Sequence, residues 1–214
     1  MMNPDQLFRW VILALVVIQL PLMLRFRLKA HTKEHLDRRQ EGWFVLLTLR
    51  PAGLVTFVGM VAYLVNPSSM AWAAAAFPIW LRWAGVMMGV ASGMLILWTM
   101  RTLGSNLTDT VVTREQHTLV TNGPYRFVRH PFYDSVALWA GACGVMAANW
   151  FVLTATAALV SLFVVRTARE EERLVARFGD AYRRYMNATG RFLPRFFATL
   201  VSRDADVQTH SRRR

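Results

Sequence analysis

LFRWVILALVVIQLPLML, residues 7–24, carries one charge, Arg9, near its start, and one amide, Gln19, near its end. About 20 mostly apolar residues are needed to cross roughly 30 Å of hydrocarbon, so this stretch is read as a membrane span. It is expected to stay attached rather than act as a cleaved signal peptide. No basic region precedes it, no small-residue cleavage site follows, and Arg25, Arg27 and Lys29 stop translocation. Working outward, the same criterion predicts spans at Trp43–Val65, with Arg50-Pro51 inside, and at Phe77–Met100, with Arg82 near its start. Shorter ones follow at Phe132–Ala148 and Trp150–Val165. The last two meet at Asn149 with almost no linker and are predicted to form a helical hairpin.

Composition agrees. Of 214 residues 54% are hydrophobic and only 18% charged, against about 25% in ordinary soluble domains. The net charge of +12 is therefore not that of a soluble nucleic-acid-binding protein, and no nucleic-acid partner is expected. The single cysteine, Cys143, excludes an intramolecular disulfide and a thiolate zinc cluster, and no metal is expected.

Basic residues mark the cytosolic loops. The stretch Arg25–Gly42 has six Lys and Arg against Glu34, Asp37 and Glu41, whereas Asn66–Ala76 has no charge. Arg101–His130 has four arginines, and the chain beyond Arg166 is rich in them. Alternating these segments needs five spans, with the N-terminus outside and the C-terminus in the cytosol. The fold class read here is an all-α integral membrane protein of about five transmembrane helices, with a C-terminal hairpin and a cytosolic cofactor-binding segment. Residues 1–100 are read as N-terminal membrane helices, 101–195 as the functional core, and 196–214 as a disordered basic tail ending in Arg212, Arg213 and Arg214, which meet lipid headgroups if anything.

Two polar segments carry the chemistry. In His117–Tyr133, Asn122-Gly123-Pro124 has turn chemistry, and Pro131 after His130 suits a first helical residue. Arg126, Arg129, His130 and Tyr133 thus gather at a helix N-terminus, whose free N–H groups suit a carboxylate or phosphate. Arg126 alone is read as a positive-inside anchor; His130 with Tyr133 is read as functional. In the second segment, Arg166 and Glu170 share a helix face at i,i+4 if the last span runs on. Arg169, Glu172 and Arg173 are assigned to a solvated face. Leu174, Phe178, Ala181, Tyr182 and Tyr185 recur at helical spacing and are expected to pack the segment against the bundle. Arg166 differs: it lies nearest the hydrocarbon, where an ionisable group is expensive and tends to be functional. Arg50 has a similar standing. Rossmann, P-loop, His-Glu-x-x-His and Gly-x-Ser-x-Gly signatures are absent.

These motifs closely resemble the isoprenylcysteine carboxyl methyltransferases. His-Thr-Leu-Val-Thr-x-Gly-x-Tyr (117–125), Arg-His-Pro-x-Tyr (129–133), an Arg before a Glu cluster (166–172), Phe-Gly-x-x-Tyr (178–182) and Arg-Phe-Leu-Pro (191–194) follow that family's C-terminal pattern over roughly residues 103–195. Two positions depart from it. Asp134 stands where Gly is common, and Thr108, Asp109 and Thr110 occupy the region where a Gln is expected.

The resemblance implies a membrane enzyme that uses S-adenosylmethionine without a Rossmann domain and methylates the carboxylate of a lipophilic, isoprenylcysteine-like acceptor. Its partners would be a prenylated or other lipophilic substrate and the bilayer. By motif position, His117, Thr118, Leu119, Val120 and Tyr125 would line the cofactor; His130, Pro131, Phe132 and Tyr133 would hold its amino-acid end. Glu170 would complete that site, and Arg166 would be the catalytic residue that faces the acceptor. Compact members of this family are common in prokaryotes, which implies an inner membrane with the site facing the cytosol. Three alternatives stay open: methylation of a phospholipid amine or small thiol, a sterol or isoprenoid reductase-like enzyme, whose C-terminal part also carries Arg-His-Pro-x-Tyr, and a non-catalytic relative.

Overall fold

The computed structural model describes residues 3–30, 45–104 and 119–195. His117, Thr118, Trp43, most of the basic 25–42 stretch, the 108–110 region and the 196–214 tail lie outside the described residues. The described chain is helical. Helix α1 is Pro4–Ala30, and a π-turn, Val45–Leu49, leads into α2, Arg50–Val65. A 3-10 segment, Pro67–Ala73, precedes α3, Ile79–Leu103; then come the 3-10 turn Gly123–Arg126, α4 Pro131–Met146, α5 Trp150–Phe178 and α6 Asp180–Ala188.

Among the described residues four helices are long and apolar enough to cross a membrane: Pro4–Phe26, Leu47–Val65, Ile79–Leu103 and Trp150–Phe178. This corrects the expected count of five. Helix α4 stands where the fourth span was expected, but its 16 residues reach only about 24 Å. The hairpin itself is present, turning through Ala147–Asn149, where the Asn149 side chain caps α5 by accepting from Val152 N–H. Helix α5 runs well past Val165, because Arg, Glu, Leu and Ala are good helix formers and carry it on as its surface turns polar. It stops at Gly179, whose φ of +56° ends the helix. The Phe178–Tyr185 stretch is therefore not one continuous helix.

Contacts at the two ends of the helices give their directions. Asp5 in α1 meets Arg82 in α3, and further along, Gln19 Nε2 donates to the Gly89 carbonyl at 3.3 Å. Helices α1 and α3 therefore run parallel. Helix α4 runs antiparallel to α3, with Ser92 Oγ donating to the Ser135 carbonyl at 2.7 Å and Arg82 Nε to the Met146 carbonyl at 2.8 Å. The α3–α4 contact is the most extensive in the bundle. It is made possible by Gly85, Gly89 and Gly93, four residues apart on one face: a Cβ on Gly85 would lie 3.0 Å from Val145 Cγ1 and 3.1 Å from Met146 N. Small residues at such spacing let membrane helices approach closely.

Phe8, Ile12, Tyr63, Met70, Cys143 and Met146 form the main core where α1, α2 and α4 meet. Residues such as Val17, Ile18, Leu54, Phe57, Met87 and Met94 stay exposed on the outside, an apolar mantle suited to lipid. Exposed Trp10, Trp72, Trp80, Trp83 and Trp150 cluster at the end where α1, α3 and α5 begin, the position of an aromatic interfacial belt.

Candidate functional site

The polar residues singled out above gather at the opposite end, because α4 is short. From the Trp150 end, α5 places Arg166 about 24 Å along its axis and Glu170 about 30 Å along. Helix α4 begins near that level, so its N-terminus is recessed beside α5 instead of reaching the end of α3.

Local sequence builds the approach. Gly123 takes φ +57°, and Thr102 Oγ1 occupies the space a Cβ would need, so Gly is required there on two counts. The chain then makes the Gly123–Arg126 turn and enters α4 with Pro131 at its first helical position. Asp134 N–H bonds the His130 carbonyl at 3.2 Å as the first helical hydrogen bond. The Phe132 and Tyr133 amides precede it and belong to the unpaired donors of a helix start. His130, the N-cap residue, makes no side-chain cap bond, which leaves its ring for α5.

Tyr133 Oη donates to Glu170 Oε2 at 3.1 Å. Its ring lies 4.9 Å from that of Phe163, and the Arg166 guanidinium carbon stands 5.8 Å from its centroid. Arg166 Nε is buried without a hydrogen-bond partner among the described residues. Helix α5 is continuous from Arg166 to Glu170, as the i,i+4 reading required. Leu49, Leu159 and Phe163, with Val136 against them, form a small apolar cluster under the Tyr133 ring.

The other expected residues fall around this point. Leu119 and Val120 are half-buried in the irregular run before the turn, Pro131 is fully buried and Phe132 half-buried. The Tyr125 carbonyl accepts from Tyr185 Oη at 2.7 Å. Its hydroxyl is pushed upward in pKa, first by burial and then by the Glu170 carboxylate. Arg126 is exposed and lies over the Phe127 ring at 4.4 Å, in keeping with an anchor. Tyr182 is buried and Tyr185 holds Tyr125, so these tyrosines pack as expected although α6 is a separate helix.

Sequence reasoning missed Glu171. It is only 2% exposed, and its carboxylate collects Arg129 Nε at 2.7 Å, His130 Nε2 at 3.1 Å and Arg191 Nη2 at 2.6 Å. Arg129 Nη1 also donates to the carbonyls of Met186 and Thr189. Beside it, residues 189–191 run parallel to 128–130: Arg129 N–H bonds the Gly190 carbonyl at 2.9 Å and His130 N–H the Arg191 carbonyl at 3.1 Å.

Residues 85–176, which contain α4, Arg166, Glu170 and Glu171, match the model of the isoprenylcysteine carboxyl methyltransferase family. This segment, less than half of the chain, is what resembles that family. It is 32% identical over 121 residues to a protein-S-isoprenylcysteine O-methyltransferase of Dictyostelium discoideum, covering 55% of this chain and 50% of that protein. It is 35% identical over 118 residues to the enzyme of that name from Homo sapiens, covering 54% and 42% respectively. The chain spans about half the length of the curated relatives it matches. A solved structure of a eukaryotic intramembrane Ras methyltransferase, isoprenylcysteine carboxyl methyltransferase, shares the fold with a TM-score of 0.50 at 24% identity, covering 68% of this chain and 51% of that one. The chain is a multi-pass integral membrane protein.

Proposed function

We propose that this chain transfers a methyl group from S-adenosylmethionine to the carboxylate of a lipophilic, isoprenylcysteine-like acceptor, with residues 101–195 as its methyltransferase core and the site facing the cytosol. The observation that carries this reading is Arg166: a cation at the hydrocarbon edge, its Nε buried and without a partner among the described residues, one turn from Glu170. A permanently charged guanidinium in that setting asks for an anion, and its planar fork matches a carboxylate. The family match and the names of the relatives point the same way.

The donor set fits the cofactor's zwitterionic amino-acid end. Glu170, held from one side by Tyr133, is assigned to the ammonium group. The free Phe132 and Tyr133 amides at the start of α4 are assigned to the carboxylate, with His130 and Pro131 shaping the turn that presents them. His117, Thr118, Leu119, Val120 and Tyr125 are proposed to line the remainder. When bound, S-adenosylmethionine supplies a methyl group on a sulfonium, an electrophile that an ionised carboxylate attacks in line.

The protein's own work is then orientation. The acceptor carboxylate is already ionised near neutral pH, so no general base is required. Arg166 holds it in line, and the recessed start of α4 keeps water away. The grip must be moderate, since the acceptor loses its charge as the transition state forms.

The test uses purified chain in nanodiscs, S-adenosylmethionine labelled in the methyl group and, in separate reactions, an S-prenylated N-acetylcysteine, a phospholipid amine and a small thiol. Transfer of label into an alkali-labile product that releases methanol identifies a methyl ester. Label in an alkali-stable product would point to an amine or thiol acceptor, and no transfer with any of the three would remove the reading.

A further inference from the structure

Glu171 has no part in the cofactor contacts assigned above, yet it is more fully enclosed than Glu170 and gathers three side chains. Two guanidinium groups, Arg129 on Oε1 and Arg191 on Oε2, already neutralise the carboxylate. The approach of His130 Nε2 at 3.1 Å to the same Oε1 is therefore additional to charge balance. Its consequence is chemical. A neutral imidazole has one donor nitrogen and one acceptor, and a carboxylate facing Nε2 requires the proton there. Nδ1 is then an acceptor. The main chain on both sides of the ring is fixed as well, by Arg129 N–H to the Gly190 carbonyl and His130 N–H to the Arg191 carbonyl.

We propose that Glu171 is a positioning residue: it fixes His130 as the Nε2–H tautomer, so that Nδ1 accepts a hydrogen bond from an N–H donor on the amino-acid end of the bound cofactor. This rests on the cofactor reading given under the proposed function. Glu170 and Glu171, adjacent in sequence, thereby divide the work. Glu170 meets the cofactor directly, while Glu171 acts through His130 and ties residues 189–191 to the same turn. Arg191, its partner on Oε2, reaches this carboxylate from the C-terminal segment that follows α6.

The experiment is nitrogen NMR of the full chain in nanodiscs with ring-labelled histidine, His130 being assigned by the spectrum of His130→Gln. S-adenosylhomocysteine affinity is measured by calorimetry alongside. The wild-type ring is expected with the proton on Nε2, and the bare Nδ1 resonance shifts when S-adenosylhomocysteine is added. Glu171→Gln keeps an oxygen for the arginines but offers the ring a donor as well, so the tautomers mix and affinity falls about tenfold, the usual scale for groups that orient a ligand-binding histidine. A wild-type ring protonated on Nδ1, or on both nitrogens, overturns the proposal without any variant and decides the matter if Glu171→Gln does not fold. An affinity loss in Glu171→Gln with an unchanged tautomer would make Glu171 merely structural and also overturns it. No S-adenosylhomocysteine binding by folded wild-type protein would instead sink the cofactor reading itself, which the calorimetry reports separately from the tautomer.

Discussion

Tyr133 Oη donates to Glu170 Oε2 across 3.1 Å and so holds apart two residues that are spaced to pair. Arg166 and Glu170 are i,i+4 neighbours on α5, an arrangement that forms ion pairs on ordinary helices. Among the described residues no ion pair joins them: the carboxylate is met by the phenol, and the guanidinium faces the phenol's ring at 5.8 Å. The result is a cation and an anion side by side without an ion pair between them, which is what the proposed roles toward an acceptor carboxylate and a cofactor ammonium would require.

Removing that phenol tests the arrangement. Tyr133→Phe loses a hydrogen bond to a carboxylate, about 1.5–3 kcal/mol in a protected setting, and frees Glu170 to capture Arg166. S-adenosylhomocysteine affinity is expected to fall several-fold and kcat to fall further, since one collapsed pair disables both groups. Calorimetry and turnover together check this. A variant equal to wild type in both would show that the spacer has no functional part.

Arg166 and Glu170 should separate by phenotype. Arg166→Ala is expected to bind S-adenosylhomocysteine within about twofold of wild type but to lose about 10²-fold or more in kcat, the scale of losing the acceptor's in-line orientation. Arg166→Lys should not restore it, because an ammonium lacks the planar fork. Glu170→Ala should instead lose about tenfold in cofactor affinity, the effect of one charged hydrogen bond. Unchanged affinity in Glu170→Ala would sink its assignment.

The spans, the turn at Asn122-Gly123-Pro124 and the helix start at Pro131 were legible because each rests on local chemistry: apolar length, positive φ and a fixed φ. The depth at which α4 begins was less so. Phe132–Ala148 is apolar beyond Asp134 and Ser135, and only the level at which Ser135 meets Ser92 reveals that its start lies below the end of α3. Glu171 was hidden by the charges around it, although a signal existed. The buried face of α5 runs Val152, Thr156, Leu159, Phe163, Thr167 and Glu171, so extending the apolar stripe by its own period reaches Glu171 rather than Glu172. The parallel pairing of 128–130 with 189–191 joins segments 60 residues apart and leaves no local trace.

Packing of α3 on α4 gives a stability test. Gly85→Ala places a Cβ 3.1 Å from Met146 N, and backbone cannot swing aside, so α4 must shift at a cost of about 1–3 kcal/mol. Gly53→Ala, in α2, meets nothing within 4 Å and should be neutral or stabilising by up to about 1 kcal/mol. Thermal unfolding in one detergent ranks the two. Equal midpoints would mean that the glycine face does not set the helix separation.

At the far end, Arg82 bonds both Asp5 Oδ1 and the Met146 carbonyl at 2.8 Å, and the question is which contact stabilises the bundle. The Asp5 side chain is 51% exposed and that of Arg82 only 6%. A half-exposed ion pair is worth no more than about 1 kcal/mol after screening. The Met146 carbonyl ends α4 in a buried place, and losing its donor costs about 1–3 kcal/mol. Arg82→Met is therefore expected to lower the unfolding midpoint more than Asp5→Asn, and the double variant to resemble Arg82→Met alone, because both changes act on one guanidinium. If Asp5→Asn proved the more damaging, the charge pair and not the carbonyl bond would be what fastens α1 and α3 to the end of α4.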